Sequence, residues 1–146
     1  MKRIYMATIA ILLVISVMLS FGAECSSSFT TAGISEATMA LGVDSYAKPI
    51  NPTNQFYTDT PTIYCSAKYS NAPAGTEINS VWVYQQGELG VTNYEIDSYA
   101  MTVEGTGYLY FYMDRPTNGW PVGEYKLVLY LDGEQVASLP FTIQAK

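Results

Sequence analysis

From residue 35 onward, the sequence alternates apolar and polar residues in short runs that are separated by turn-forming residues. In residues 108–113, for example, leucine, phenylalanine and methionine alternate with three tyrosines. A period of two places successive side chains on opposite faces of a β-strand. No segment in this part of the sequence keeps a helical period for three turns. The pattern therefore predicts an all-β domain.

Seven strands are predicted, over residues 35–43, 62–69, 77–86, 91–100, 108–113, 123–131 and 134–144. A long connection with two prolines, residues 48–54, follows the first strand, and residues 71–75 are predicted to form a turn. Asp132 and Gly133 are predicted as the centre of a type I′ hairpin, because both residue types tolerate positive φ angles. Seven short strands at this spacing favour a sandwich of two sheets.

The first 24 residues are typical of a targeting segment, with Lys2 and Arg3 ahead of a run without charge from Ile4 to Ala23. Three fates are open. A signal peptidase could remove the segment, the segment could remain as a membrane-spanning helix, or Cys25 could carry lipid at a start similar to that of bacterial lipoproteins. In each case the basic residues stay on the cytoplasmic side, and the rest of the chain lies outside the cytoplasmic membrane.

Three regions follow from these patterns: a signal or anchor helix over residues 1–24, a flexible tether over residues 25–34, and one domain over residues 35–146. The tether is predicted from small, polar residues without periodicity. After Glu24 the chain has twelve acidic and five basic residues. Nucleic acid is therefore not an expected partner, since its binding requires a basic surface.

The two cysteines, Cys25 and Cys65, could form a disulfide in an oxidising compartment. Cys25 lies in the tether, whereas Cys65 lies in a strand-like run. A buried free thiol at Cys65 is therefore favoured over a pair.

The second, third and sixth strands carry a family resemblance. Cys65, Trp82 and residues 123–125, with the tyrosine at Tyr125, resemble the immunoglobulin-like pattern, in which a cysteine follows that tyrosine by two residues. Here Leu127 has that position, so the resemblance implies a contact between Cys65 and Leu127 in place of a disulfide. The segments that carry it are residues 56–65, 71–82, 115–125 and 130–133.

These segments are similar to an immunoglobulin-like β-sandwich module of exported or membrane-anchored prokaryotic proteins, and the similarity covers residues 35–145. The resemblance implies the fold. Such modules serve as spacers, adhesive units or ligand-binding domains, so the resemblance implies no single function.

Catalytic chemistry has little support in the sequence, which contains no histidine. The commonest general base and the commonest metal ligand are therefore missing. Glu95 and Asp97 share a face of the predicted fourth strand, and Asp59 and Asp114 lie beside turns, as ordinary solvated acids do. We predict no enzyme, no catalytic residue, no metal site and no cofactor.

Tyrosine is the one residue type in clear excess, with thirteen in the chain. Tyr64, Tyr108, Tyr110 and Tyr112 are predicted to share the outer face of one sheet. They could form an aromatic platform for sugar rings or partner side chains. Alternatively, they only stabilise the sheet through pairs across its strands.

A second possible contact face lies on the other predicted sheet, where Val81 and Val83 would neighbour Val128 and Tyr130. Outward valines could mark contact with another protein or another copy. A shift of one residue in register would instead turn the valines inward. Trp120 is either an exposed anchor in a loop or a lid over one end of the core.

These observations predict a non-catalytic extracytoplasmic module that mediates protein contact or envelope assembly. The alternative is a domain that binds carbohydrate or another small ligand through the tyrosine-rich face. The expected partner is an extracellular or envelope protein, with a glycan as the other possibility. The membrane is a partner only through the N-terminal segment, if that segment is uncut or Cys25 is lipidated.

Overall fold

The computed structural model describes residues 31–146. The predicted signal or anchor helix, Cys25 and most of the predicted tether lie outside the described residues. Across residues 31–146 no helix has the length and apolar character needed to cross a membrane.

Seven strands form the domain, so the all-β prediction is confirmed. They are β1 (Gly33–Val43), β2 (Pro49–Pro52), β3 (Gln55–Tyr57), β4 (Thr62–Gly87), β5 (Tyr94–Asp114), β6 (Gly123–Leu131) and β7 (Glu134–Gln144). Hydrogen bonds join them in the order β2-β1-β4-β6-β7-β3, and β5 pairs along the other side of β4. The short β3 runs parallel to β7, and the other pairs are antiparallel.

These are not the seven strands predicted from the sequence. The turn predicted at residues 71–75 is wrong, because β4 continues through it for 26 residues in all. Asn71 and Gly75 do adopt positive φ angles of 52° and 83°. Their effect is two register irregularities in the pairing with β5 instead of a reversal of the chain.

Two further segments differ from the prediction. The predicted fourth and fifth strands are one strand, the 21-residue β5, and the predicted connection at residues 48–54 contains β2 and the gap before β3. At the other end, β1 begins earlier than predicted, since Gly33 and Ile34 already pair with Ser70 and Tyr69 of β4. The hairpin at Asp132 and Gly133 is confirmed by φ angles of 47° and 84°.

The long hairpin of β4 and β5 folds back on itself. The rings of Tyr99 and Phe111, both on β5, have centroids 6.2 Å apart, whereas twelve residues of extended strand would span about 40 Å. Strand β1 pairs with the first half of β4, and β6 pairs with the second half. Side chains from both halves of β4 meet in one buried cluster, among them Ile63, Cys65 and Trp82.

The buried cluster contains the residues on which the resemblance depends. Cys65 and Leu127 are fully buried in it, and Cys65 is a free cysteine, as predicted. Trp82 is buried, with its ring centroid 6.1 Å from that of Phe141. Trp120 is also buried, and its Nε1 donates a hydrogen bond to the Thr60 carbonyl over 2.7 Å. The interpretation of Trp120 as an exposed anchor is therefore wrong, and its ring belongs to the buried cluster.

Tyr125 anchors the start of β6 through its hydroxyl, which donates to the Pro121 carbonyl over 2.7 Å. A tyrosine bonded to the backbone just upstream is a feature of immunoglobulin sandwiches at this strand. Burial raises the pKa of Tyr125, with Tyr84 and Glu88 as lesser causes. The hydroxyl therefore stays protonated and remains a donor.

We expect Tyr125→Phe to lower the free energy of unfolding by about 1–2 kcal/mol, because it removes this bond and leaves a carbonyl without its partner. Urea unfolding measures the change. Tyr46→Phe is the matched control, since Tyr46 is 76% exposed and should change stability by less than about 0.5 kcal/mol. Equal effects of the two variants would contradict the anchoring role.

Candidate functional site

A cleft of about 610 Å³ opens between the two halves of β5. Its size is within the range of roughly 300–1,000 Å³ that is typical of ligand sites. We call it the β5 cleft. Its lining consists of Ala47, of Ser80 and Trp82 from β4, of Asp97, Tyr99 and Met101 from the first half of β5, and of residues 108–114 from the second half.

The second half of β5 faces this cleft with its edge. All seven residues from 108 to 114 line the cleft, whereas a strand that presented one face would contribute every second residue. Residues 107–114 pair with β4 on one side. Within residues 31–146, no other strand pairs with this half of β5. The cleft therefore occupies the position of a neighbouring strand.

Three of the four predicted platform tyrosines form one cluster on the outer face beside this edge. Ring centroids of Tyr64 and Tyr112 are 6.1 Å apart, and Tyr110 lies 6.2 Å from each of them. Tyr110 is 41% exposed and Tyr112 is 57% exposed. We call these three residues the tyrosine cluster. It presents aromatic surface to solvent at the mouth of the cleft.

Tyr108 shares the outer face but has separate contacts. Its hydroxyl donates a short hydrogen bond to Glu36 Oε2. The Nζ atoms of Lys48 and Lys68 lie 5.3 Å and 6.0 Å from its ring centroid, within the range of cation–π contacts. The hydrogen bond raises the pKa of Tyr108 and, with Lys68 as a lesser cause, lowers the pKa of Glu36. Charged side chains thus fix Tyr108 at one end of the cleft.

The charge inside the cleft is negative. Asp97 and Asp114 line it, and no lysine or arginine does. Asp114 also accepts a hydrogen bond from Thr62 Oγ1 over 2.8 Å. Because β5 folds back so that Tyr99 contacts Phe111, Asp97 lies toward the Asp114 end. The cleft therefore has an acidic end, opposite the end at Tyr108.

The structure also brings the predicted valine face together. Val81 pairs with Val128 and Val83 pairs with Lys126, on the strand face opposite the buried Trp82. Val128 is nevertheless only 5% exposed, while Val81, Val83 and Tyr130 are partly buried. This face offers less accessible apolar surface than the tyrosine cluster does.

Sequence reasoning missed the cleft residues Asp97, Tyr99 and Met101. The alternate spacing of these three residues predicts that they share one face of a strand. The neighbouring sequence does not predict that this face lies against Phe111. For metal chemistry, residues 31–146 contain no group of three or more aspartate, glutamate, cysteine or histidine side chains placed to hold an ion.

Comparisons with known proteins find similarity in fold only. No protein-family model matches the chain, and no curated protein matches it in sequence. An immunoglobulin-like protein from Pseudomonas aeruginosa superimposes with a TM-score of 0.51 at 14% identity, over 77% of this chain and 96% of that one. An alkylpurine DNA glycosylase from Pseudomonas fluorescens, solved with DNA that contains an abasic site analogue, also gives 0.51, at 12% identity. This match covers 78% of our chain but only 30% of the glycosylase. The domain is thus similar in fold to an immunoglobulin-like protein.

Proposed function

We propose that this protein is an exported, non-catalytic immunoglobulin-like module that binds a partner protein at the β5 cleft. The observation that carries the proposal is the tyrosine cluster beside the cleft. Tyr110 and Tyr112 expose aromatic surface next to a concave site with two carboxylates. Tyrosine combines a large apolar area with a polar tip, which suits it to protein interfaces.

Two observations support a role without catalysis. The chain has no histidine to serve as a base. Within residues 31–146, the two carboxylates with lowered pKa, Glu36 and Asp59, owe the shift chiefly to hydrogen bonds from Tyr108 and Lys146. These are ordinary surface pairs rather than an arranged acid and base.

We propose further that the sheet is folded as a two-layer sandwich. The contact between Tyr99 and Phe111, the shared core of the two halves of β4 and the bond from Tyr125 to Pro121 support this arrangement. Export is supported by the basic and then apolar composition of residues 1–24.

The experiment places a photo-crosslinking phenylalanine at position 112 and tests it in cells of the native host. We expect an adduct with a protein, and at least about fivefold less adduct when Tyr110→Ala is also present, as for an interface hot spot. Position 136 is the matched control, because Val136 is 40% exposed on β7, outside the cleft.

Two results would contradict the proposal. One is equal adduct from positions 112 and 136, or adduct that is insensitive to Tyr110→Ala in a folded chain. The other is a chain that resists protease added outside intact cells or spheroplasts and is digested only after lysis, which would contradict export.

A second candidate function is the binding of a small ligand such as a glycan. The volume of the cleft favours it. Aromatic rings can stack on sugars, and the carboxylates beside them can accept hydrogen bonds from sugar hydroxyls. Absence of any protein adduct at position 112, together with saturable glycan binding that Tyr110→Ala weakens, would support this candidate instead.

A further inference from the structure

We propose that the edge of β5 at residues 108–114 receives an extended segment of the partner as an additional β-strand. This inference rests on the proposed function and specifies how the β5 cleft binds. Strand addition of this kind gains affinity from main-chain hydrogen bonds and specificity from alternate side chains. The partner segment would be apolar at alternate positions and would carry a lysine or arginine.

The direction of the backbone groups follows from the pairing with β4. Arg115 donates its N–H to the Pro61 carbonyl over 2.8 Å, and the register from Thr62 opposite Asp114 onward has no shift as far as Tyr69. In an antiparallel ladder, alternate residues turn both backbone groups to the same neighbour. Residues 109, 111 and 113 therefore bond to β4, and residues 108, 110 and 112 direct their N–H and C=O groups into the cleft.

This edge lacks the features that normally prevent strand addition. Residues 108–113 contain no charge and no proline, and they are rich in residues that favour strands. A long uncharged edge of this kind is a template for pairing with another chain. Such an edge is expected to have a partner strand.

Three other outer edges of the sheet carry protective features. Strand β2 has four residues with a proline at each end, and β3 has three residues. The first half of β5 contains Glu95 and Asp97, with a register irregularity between them. Short length, proline, charge and irregular register all oppose pairing. The contrast indicates that the open edge at residues 108–114 is functional.

The cleft fits a single strand better than a second copy of this domain. Neighbouring strands lie about 4.8 Å apart, so an added strand would lie under Tyr99 and Met101, which line the opposite wall. A second copy that paired through the same edge would bring its own first half of β5 into that space. An isolated extended segment has no such additional strand, so it would leave that space free.

Charge indicates the chemistry of the segment. Asp97 and Asp114 line the cleft without a basic residue among its lining, so a lysine or arginine of the partner would meet two carboxylates at that end. At the other end, Lys48 and Lys68 already flank Tyr108. A basic residue is therefore expected at the end of the segment beside Asp114.

The test uses a panel of seven-residue peptides with lysine at one terminus, followed by alternating apolar residues and threonines. Valine, isoleucine, leucine or phenylalanine occupies the apolar positions, and each peptide is made with the lysine at either end.

Hydrogen exchange of the folded protein is followed by NMR, with and without each peptide. We expect at least one peptide to bind below about 1 mM and to slow exchange at the amides of Tyr108, Tyr110 and Tyr112 at least about tenfold. Exchange at Leu109, Phe111 and Met113 should not change.

Backbone dependence is tested on both partners. N-methylation of one alternate set of amides in the peptide should abolish binding, while methylation of the other set should not.

In the protein, Tyr110→Pro removes a backbone N–H donor that points away from β4, and proline is tolerated at such edge positions. Tyr110→Ala is the matched control because it removes the side chain but keeps the N–H. We expect the proline variant to bind at least about fivefold more weakly than the alanine variant. If Tyr110→Pro does not fold, the Tyr112→Pro and Tyr112→Ala pair replaces it.

Several outcomes overturn strand addition. These are no binding by any peptide below about 1 mM, binding without protection of the three tyrosine amides, and binding that tolerates both N-methylated sets. The proposed function fails separately, through the crosslinking at position 112. Adduct formation there with none of the expected exchange protection would retain protein contact and reject the added strand.

Discussion

Trp82→Ala is expected to lower the free energy of unfolding by about 3–5 kcal/mol, the cost of truncating a large buried aromatic side chain. Trp82 is 3% exposed. Its ring meets Phe141 edge-on at 6.1 Å, and it belongs to the cluster that unites both halves of β4. Alanine would leave a cavity in this cluster that β7 and the rest of β4 could not close without moving. Equilibrium unfolding in urea measures the loss.

The matched control for Trp82→Ala is Tyr46→Ala, because Tyr46 is an aromatic residue that is 76% exposed. This change should alter stability by less than about 0.5 kcal/mol. A loss of less than about 1 kcal/mol for Trp82→Ala would be inconsistent with its place in the core. Trp82 also lines the β5 cleft, so this variant should not be used as a binding mutant.

In the folded protein, alkylation of Cys65 by iodoacetamide at pH 8 should be at least about a thousandfold slower than in the unfolded chain. Burial raises the pKa of the Cys65 thiol from 9.0 to about 12, and only the thiolate reacts. Burial also excludes the reagent until the structure opens. Mass spectrometry of the peptide that contains Cys65, sampled over time with and without urea, gives the two rates.

The raised pKa of Cys65 also has a consequence for stability. The folded state favours the protonated thiol. The stability that folding draws from keeping Cys65 protonated is fully present below pH 9 and is lost as the pH rises from 9 toward 12.

The control for the alkylation experiment is a cysteine introduced at the exposed Ser138, which should react equally fast with and without urea. If native Cys65 reacted within tenfold of the unfolded rate, the thiol would not be buried as described.

The tyrosine cluster shows how far the sequence leads toward the site. Strict alternation in residues 108–113 predicts that Tyr110 and Tyr112 share a face, and the pairing of Tyr64 with Tyr112 places a third ring beside them. The free edge was not predictable in this way. Whether a strand has a neighbour on both sides depends on the order of all strands in the sheet. The alternating pattern of residues 108–113 would suit a central strand as well as an edge strand.

The Asn71 and Gly75 region shows the same limit for the fold. Both residues favour positive φ angles, and such residues most often mark turns. Here β5 runs alongside, and its hydrogen bonds continue on either side of the irregularities. The same local signal was correct at Asp132 and Gly133, where the chain reverses. There the Asp132 N–H donates to the Glu77 carbonyl, and the Glu77 N–H donates to Asp132 Oδ1.

The sequence by itself determined the all-β class, the inward and outward faces of most strands, the buried free thiol at Cys65 and the hairpin at Asp132. All of these depend on side-chain period and on the φ preferences of single residues, which are properties of a few neighbouring positions. Only the tertiary structure decided that β4 and β5 are continuous, that Tyr99 meets Phe111, and that residues 108–114 border an open cleft. These features arise from hydrogen bonds and packing between segments far apart in the chain, and no local pattern specifies which edge of a strand remains without a neighbour.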